Sequence, residues 1–214
     1  MDEHQIAWNQ KTAQHLIKQL TKRRFAASFA PSAAQAVEQA LAMIPEGSQV
    51  FRCGSMSATY AGLWERLAQK GGVEVINPYL PRFSPEESLA ERRRGLSADF
   101  MVASTNAITL DGRLVNLDGM GNRVAALSFG PKKVILIVGM NKVVADLESA
   151  LSRVKHYAAP VNNIRLGLPN PCTEDGLCHD CRGPKRICNI WTITEGNMIE
   201  GRIHVLLVGE DLGY

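Results

Sequence analysis

Four cysteines lie close together near the carboxyl end of the chain, at Cys172, Cys178, Cys181 and Cys188. Their spacing is C-x5-C-x2-C-x6-C, and the surrounding segment 170–190 contains several glycines and prolines, which favour a compact irregular loop. Thiolates bind soft metals, and four of them can complete a tetrahedral zinc site or hold a 4Fe–4S cluster. The spacing has only one of the two C-x2-C pairs usual for structural zinc and lacks the closely spaced run of common clusters. The pattern therefore predicts one metal centre, zinc or iron–sulfur, with packed thiols or disulfides as alternatives.

Other side chains near these cysteines could serve the same centre. His179 is an alternative ligand, and Arg182, Lys185 and Arg186 either offset the charge of the thiolates or are ordinary exposed bases. The fifth cysteine, Cys53, ends a predicted strand. We interpret it as a small buried hydrophobic residue rather than a nucleophile.

A first polar loop, with Gly54, Ser55 and Ser57, lies between a predicted strand and a predicted helix. In an open α/β sheet, ligands bind beyond the carboxyl end of a strand, and free backbone N–H groups at a helix N-terminus favour an anion. The loop lacks the Gly-Lys-Ser/Thr ending of a P-loop, and no nucleotide cofactor is evident. The alternative is that one of the serines only caps the helix.

A second polar region combines the end of one strand with the segment after a hairpin. Its candidate binding residues are Ser104, Thr105, Asn106, Gly119 and Gly121, and its candidate catalytic residues are Asp118, Asn122 and Arg123. An aspartate can serve as acid, base or hydroxyl acceptor, an asparagine can orient the ligand, and an arginine can form a fork for an anionic group. The two regions together predict a pocket for a small anionic metabolite, a carboxylate or a phosphate. The alternative is that Asp118-Gly119 is a turn, Asn122 caps a helix and Arg123 forms a surface ion pair.

The elements that must position these residues follow an alternating pattern. Strands are predicted at 49–53, 73–76, 100–103, 108–110, 114–117, 133–138, 190–194 and 203–208. Helices are predicted at 4–22, 57–69, 122–127 and 144–157, after the caps Ser32 and Ser84, and Pro160 is expected to end the longest late helix. Asp111-Gly112 predicts a tight two-residue hairpin turn with a structural aspartate. The pattern predicts an α/β fold with a mainly parallel sheet flanked by helices, as a single domain over 1–214.

The composition excludes several classes of protein. The chain has 24 basic and 21 acidic residues for a net charge of +3, and 45% of its residues are hydrophobic. This balance does not predict nucleic-acid binding, and the run Arg92, Arg93 and Arg94 is interpreted as a solvated helix face. No apolar run approaches the about 20 residues of a spanning helix, and no signal peptide is evident, so we expect a cytoplasmic protein that does not bind membranes and can form an oligomer.

The motifs resemble those of the LUD (lactate-utilisation, DUF162) domain family, which includes lactate-utilisation protein C. The matching segments are Ser104-Thr105-Asn106-Ala107-Ile108-Thr109, Asp111-Gly112, Asn116-Leu117-Asp118-Gly119, Gly121-Asn122-Arg123-Val124-Ala125-Ala126 and Phe129-Gly130-Pro131-Lys132-Lys133-Val134. The cysteine segment is similar to that of a subgroup, and the resemblance covers roughly residues 10–208.

This resemblance implies a fold similar to the NagB/RpiA/CoA-transferase superfamily. It also implies a role in the oxidation of L-lactate, or a related 2-hydroxy acid, to the oxo acid, alongside iron–sulfur partner subunits, which favours a 4Fe–4S cluster over zinc. Two other functions stay open. One is a non-catalytic regulatory or binding subunit with a structural zinc loop, and the other is an isomerase or transferase that acts on a sugar phosphate or a CoA ester.

Overall fold

A six-stranded sheet organises the chain. The structure is a computed structural model that describes residues 2–214. The sheet has the order β1-β10-β7-β4-β2-β3, and every pair in it is parallel. Its strands are β1 (Ala26–Ala30), β2 (Gln49–Arg52), β3 (Glu74–Ile76), β4 (Phe100–Ala103), β7 (Lys133–Gly139) and β10 (Ile203–Val208). Because all strands are parallel, their carboxyl ends and the loops that follow them lie at one edge.

Helices cover both faces of this sheet. They are α1 (Glu3–Lys22), α2 (Ala33–Met43), α3 (Met56–Tyr60), α4 (Leu63–Lys70), α5 (Pro85–Arg94), α6 (Asn122–Phe129), α7 (Leu147–Arg153), α8 (Ala159–Leu166) and α9 (Cys172–Asp175). Short 3₁₀ turns lie at Gly95–Ser97 and Met140–Lys142. The predicted caps are present: the Ser32 hydroxyl accepts from the Gln35 N–H, and Ser84 forms a full capping box with Glu87.

The aliphatic strand β7 shows why the sheet is buried on both faces. Val134, Leu136 and Val138 pack with α1 and α6 on one face, whereas Ile135 and Ile137 pack with α2 and α4 on the other. Side chains alternate between the faces of a strand, so a continuous apolar run fills two cores at once. Burial on both faces confirms the predicted central strand.

A second sheet of four strands packs beside the first, in the order β8-β5-β6-β9. Its strands are β5 (Ala107–Thr109), β6 (Leu114–Asp118), β8 (Val143–Val144) and β9 (Ile190–Thr194). The predicted hairpin is confirmed as the antiparallel pair of β5 and β6. Its turn is longer than the predicted two residues, because the Thr109 N–H donates to the Arg113 carbonyl and the Gly112 N–H donates back to Thr109. The loop therefore contains three residues between the last paired positions, a common hairpin length.

Three predictions about helices and strands were wrong. The helix predicted over 57–69 is two helices, α3 and α4, separated at the left-handed Gly62. Strand β1 was missed, because Ala-Ala-Ser-Phe-Ala has no β-branched residue to indicate a strand. The segment 170–190, predicted to be an irregular loop, contains the short helix α9.

The late helix also continues past Pro160. A π-helical turn at Val154–Ala158 joins α7 to α8, and Pro160 lies in the first turn of α8. Proline lacks an N–H, so it breaks the α-helical hydrogen-bond pattern, and the wider π turn changes that pattern just before the proline. Among residues 2–214, no helix combines the length and apolarity needed to cross a membrane.

Candidate functional site

A cavity of about 550 Å³ opens at the carboxyl edge of the six-stranded sheet. Its walls come from the segments after β2, β3, β4, β6 and β7, together with α8 and the chain end at Tyr214. Such an edge is where open α/β sheets bind ligands, and the volume lies within the range of about 300–1,000 Å³ typical of small-molecule sites. We refer to it below as the large cavity.

The structure brings most of the predicted binding and catalytic residues to the large cavity. Its lining includes Gly54, Ser55, Ser104, Thr105, Asn106, Asp118, Gly119, Asn122 and Arg123. Two predicted residues stand apart from the lining: Ser57 is fully buried behind the wall, and Gly121 precedes α6 in a left-handed conformation. The binding and catalytic roles of these residues stay predictions.

The first polar loop is shaped around a tyrosine. Gly54 has a φ of +61°, and a Cβ at this position would lie 2.5 Å from the Tyr79 hydroxyl oxygen. The Arg92 guanidinium stacks over the Tyr79 ring at 5.0 Å, and burial raises the pKa of the Tyr79 hydroxyl, which therefore stays protonated. The Ser55 hydroxyl accepts from the Ala58 N–H at 3.2 Å, so this serine caps α3. Glycine is required here because it lets the tyrosine hydroxyl approach the backbone.

The Arg123 guanidinium holds the second polar region together. It donates to the side-chain oxygens of Asn116 at 2.5 Å and Asn106 at 2.9 Å, and to the Leu117 carbonyl at 2.9 Å. Its Nε lies 3.5 Å from Asp118 Oδ2. Because these contacts use most of its N–H groups inside the protein, the geometry favours a positioning role for Arg123 over the predicted fork for a ligand.

Asp118 has an acceptor to spare beside the cavity. Its Oδ1 accepts from the Gly121 N–H at 3.0 Å, whereas the buried Oδ2 accepts no hydrogen bond from any group in residues 2–214. Buried polar atoms are normally hydrogen-bonded, and the one charged contact of Oδ2 among residues 2–214 is the Arg123 Nε at 3.5 Å, so this oxygen still has capacity for a hydrogen bond. The Asn122 amide contacts the Cys53 sulfur at 3.5 Å. Burial raises the pKa of Cys53 to about 12, which agrees with the prediction of a small buried hydrophobic residue.

Three arginines in the lining were not among the predicted site residues. They are Arg52, which lies 5.0 Å from the Trp64 ring, Arg92 on α5 and Arg165 on α8. Within the described part of the chain, none of the three has a carboxylate within 4.0 Å. The prediction of a solvated helix face was wrong for Arg92, because the end of α5 packs over Tyr79. These cations come from separate elements, so no local sequence pattern indicated them.

Lys142 is the other residue that the sequence did not reveal. Only 3% of it is exposed, and its ammonium donates to Ser57 Oγ at 2.8 Å, Ser104 Oγ at 3.1 Å and the Thr105 carbonyl at 3.3 Å. Burial, together with the charges of Arg153 and Arg123, lowers the pKa of Lys142 to about 7. One signal was available: a lysine that follows the central strand of a parallel sheet lies at the edge where ligands bind.

All four predicted metal ligands line a second, smaller cavity of about 20 Å³, the cysteine cavity. Cys172 is buried, the other three are partly buried, and all four are free thiols. Burial and the three neighbouring cysteines raise the pKa of Cys172. Lys155 and Arg186, each bonded to Asp180, also line it, and the Arg186 guanidinium donates to the Cys181 carbonyl.

The cysteine cavity fits a soft metal in its donor chemistry. It gathers four thiols beside two cations that would balance thiolate charge. In residues 2–214, however, no group of three or more His, Cys, Asp or Glu side chains is already arranged to hold an ion. The four cysteines nevertheless converge on one cavity, and metal binding orders loops of this kind. His179 pairs with Asp175 at 2.8 Å.

The two cavities share a wall. Ile187 and Ala159 line both of them. The backbone of the cysteine loop also lies close to the second polar region. A Cβ on Gly119 would lie 3.1 Å from Ile187 Cα, and the Asn189 N–H donates to the Asp118 carbonyl at 2.9 Å. Gly119 is therefore needed for the close approach of the cysteine loop to the second polar region.

Comparisons with known proteins agree with this architecture. The family model for the LUD domain matches residues 13–208. The chain superposes on a DUF162 family protein from Deinococcus radiodurans with a TM-score of 0.52 at 16% identity, covering 94% of this chain and 98% of that one. No protein of curated function shows significant sequence similarity.

Two other solved structures match part of the chain. Ribose 5-phosphate isomerase from Plasmodium falciparum is 17% identical over 51% of each chain, with a TM-score of 0.34. eIF2B delta from Chaetomium thermophilum is 16% identical over 65% of this chain and 57% of that one, with a TM-score of 0.38. The parallel sheet and the Deinococcus structure together confirm the predicted α/β fold class.

Proposed function

Since the chain belongs to the LUD domain family, we propose that it serves in the oxidation of L-lactate or a related 2-hydroxy acid, which binds as a carboxylate in the large cavity. The observation that carries this proposal is the set of arginines in the lining, Arg52, Arg92 and Arg165, which have no carboxylate within 4.0 Å in residues 2–214. A guanidinium binds a carboxylate through charge-assisted hydrogen bonds, which are about twice as strong as neutral ones.

Asp118 gives the cavity its second recognition element. A 2-hydroxy acid carries a hydroxyl donor on the carbon next to its carboxylate, and Asp118 Oδ2 is a buried acceptor without a hydrogen bond in residues 2–214. Asp118 would accept that hydrogen bond and hold the proton that leaves the hydroxyl on oxidation. Arg123 holds the Asp118 loop in place through an ion pair with Asp118 Oδ2 at 3.5 Å, and the Asn106 side-chain oxygen accepts a hydrogen bond from Arg123.

The cysteine loop supplies the redox part of the proposal. Cys172, Cys178, Cys181 and Cys188 would hold one 4Fe–4S cluster, or one zinc ion, beside Lys155 and Arg186. When bound, a cluster supplies one-electron transfer. The two electrons of each oxidation would go one at a time to the proposed iron–sulfur partner subunit, and the two protons, one of them held first by Asp118, would go to water. The wall of Ile187 and Ala159 that separates the two cavities supports this placement.

Calorimetric titration with L-lactate tests the binding site. Changing Arg92→Gln is expected to weaken binding about tenfold, equal to about 1.4 kcal/mol, because one charge-assisted contact is lost. The matched control is Arg93→Gln, since Arg93 is the next residue on α5 and is exposed. Equal affinities for the wild-type protein and both variants would remove the arginines from the proposal.

Anaerobic purification with a visible spectrum and elemental analysis tests the metal centre. A brown protein with absorption near about 400 nm and several irons per chain supports the cluster. A colourless protein with about one zinc per chain would make the loop structural and would favour the regulatory subunit.

A further inference from the structure

Ser104, Ser57 and Lys142 form a hydrogen-bonded cluster at the wall of the large cavity that the proposed function leaves unused. The Ser57 and Ser104 hydroxyl oxygens lie 3.3 Å apart, and Lys142 Nζ lies 2.8 Å from the first and 3.1 Å from the second. Ser104 and Lys142 line the cavity, whereas Ser57 lies behind them and is 1% exposed. The three residues are far apart in the sequence, so the fold assembles the cluster.

The hydrogen bonds of this cluster are satisfied in two protonation states. With Lys142 charged, its three N–H groups donate to Ser57, Ser104 and the Thr105 carbonyl. With Lys142 neutral, two N–H groups donate to Ser57 and Thr105, and the nitrogen lone pair accepts the Ser104 O–H over the same 3.1 Å. In both states the Ser57 hydroxyl can donate to the Leu212 carbonyl at 3.0 Å. A proton can therefore pass from Ser104 to Lys142 once the Ser104 hydroxyl turns from the Thr105 carbonyl, which lies 3.3 Å away, to the amine.

We propose that Ser104 is a nucleophile with Lys142 as its general base. Bound in the large cavity, an ester or thioester that carries a carboxylate or phosphate would transfer its acyl group first to Ser104 and then to water. A serine hydroxyl is a weak nucleophile until an adjacent base takes its proton. Ser57 is a positioning residue, because it holds Lys142 in place and does not reach the cavity.

The reaction balances with water as the only co-reactant. Ser104 Oγ attacks the acyl carbon while its proton moves to Lys142, and the tetrahedral intermediate expels the alcohol or thiol, which takes that proton. Water then attacks the acyl-serine ester, gives a proton to Lys142, and releases the acid as Ser104 recovers its hydrogen. The bond from the acyl carbon to the leaving group is exchanged for a bond to the oxygen of water.

The surroundings of the cluster support both the base and the choice of substrate. The charged groups that act on Lys142 are Arg153 and Arg123, which together with burial keep the lysine largely neutral above pH 7. A neutral amine can accept a proton, whereas an exposed lysine is charged at this pH. Arg52, Arg92 and Arg165 line the cavity, have no carboxylate within 4.0 Å in residues 2–214, and favour a substrate with an anionic group.

Covalent labelling with a fluorophosphonate probe tests the nucleophile. We expect one adduct per chain, located on Ser104 by peptide mass analysis, and no adduct in Ser104→Ala. Lys142→Met should slow labelling at least about 100-fold, as expected for the loss of a general base. The matched controls are Ser152→Ala and Lys18→Met, both exposed helical positions, and both should label at the wild-type rate.

A pH profile on the wild-type protein keeps the test valid if Lys142→Met does not fold. The labelling rate should rise with an apparent pKa of about 7, and 4-nitrophenyl succinate should be cleaved at least about tenfold faster than 4-nitrophenyl acetate because of the arginines. An unlabelled Ser104 in folded protein, an adduct elsewhere, or a rate independent of pH between 6 and 9 would overturn the proposal. L-Lactate has no part in these assays, so the proposed function can fail or stand separately.

Discussion

The buried lysine predicts a specific dependence of stability on pH. Lys142 has a pKa of about 7 in the folded protein against 10.5 for a free lysine. Between these values the unfolded chain binds a proton that the folded protein does not, so the free energy of unfolding rises with pH, by up to about 1.4 kcal/mol per unit. Below pH 7 both states are protonated, and the full penalty for burying the charge is present. Above pH 10.5 the penalty is gone.

The measurement compares the wild-type protein with Lys142→Met, which fills the same space without a charge. Urea unfolding at pH 7.5, 8.5 and 9.5 gives the free energy of unfolding of each. The wild-type value should rise by about 2.5 kcal/mol relative to the variant across this range, because other titrating groups cancel in the difference. The exposed Lys18→Met change should give a difference that does not vary with pH. A flat difference for Lys142→Met would show that the lysine keeps its charge when buried.

Three further changes test other parts of the structure. Gly54→Ala places a Cβ 2.5 Å from the Tyr79 hydroxyl at a φ of +61°. It should lower the free energy of unfolding in urea by about 1–2 kcal/mol and weaken L-lactate binding in calorimetry. Unchanged values would mean that the loop adapts freely. Arg202→Met removes a buried side chain that donates to the carbonyls of Ala126, Leu127 and Pro131 at 2.8–3.0 Å. It should lower the free energy of unfolding by about 3 kcal/mol, whereas the change Arg66→Met at an exposed position should alter it little. Equal stability of the two variants would contradict this. Cys172→Ser should lower the amount of bound metal measured by elemental analysis, and Cys53→Ser should not, because Cys53 lies outside the cysteine cavity. Equal metal content in the two variants would show that the cysteine loop does not bind the metal.

Local patterns predicted much of the fold, because the physics that sets them is local. The run at 133–138 requires burial on both faces, and Ser84 followed by Pro85 and Glu87 satisfies the first turn of a helix by itself. Strand β1 and the helix beyond Pro160 depend instead on partners elsewhere. Strand β1 is held by its parallel pairing with β10, which lies at the other end of the chain.

The residues of the large cavity were likewise predicted only where their signal is local. Its two polar loops were predicted because glycines and small polar residues cluster in the sequence. Lys142 and the three arginines were missed, because a lysine 85 residues from its serine partner carries no local mark of that contact. Arg92 belongs to an arginine run that resembles a solvated face, but the fold places Arg92 over Tyr79, whereas Arg94 pairs with Glu74 and Glu91.

The wall that Ile187 and Ala159 provide has a thermodynamic consequence. Occupants of two adjoining cavities can change each other's affinity, and the change is the same in both directions. If a metal in the cysteine loop makes the large cavity bind the 2-hydroxy acid tenfold more tightly, equal to about 1.4 kcal/mol, then the 2-hydroxy acid must increase the affinity of the loop for its metal tenfold. A loop with this linkage would keep its metal best when the acid is abundant and lose it first when the acid runs out, so metal content would report on substrate supply.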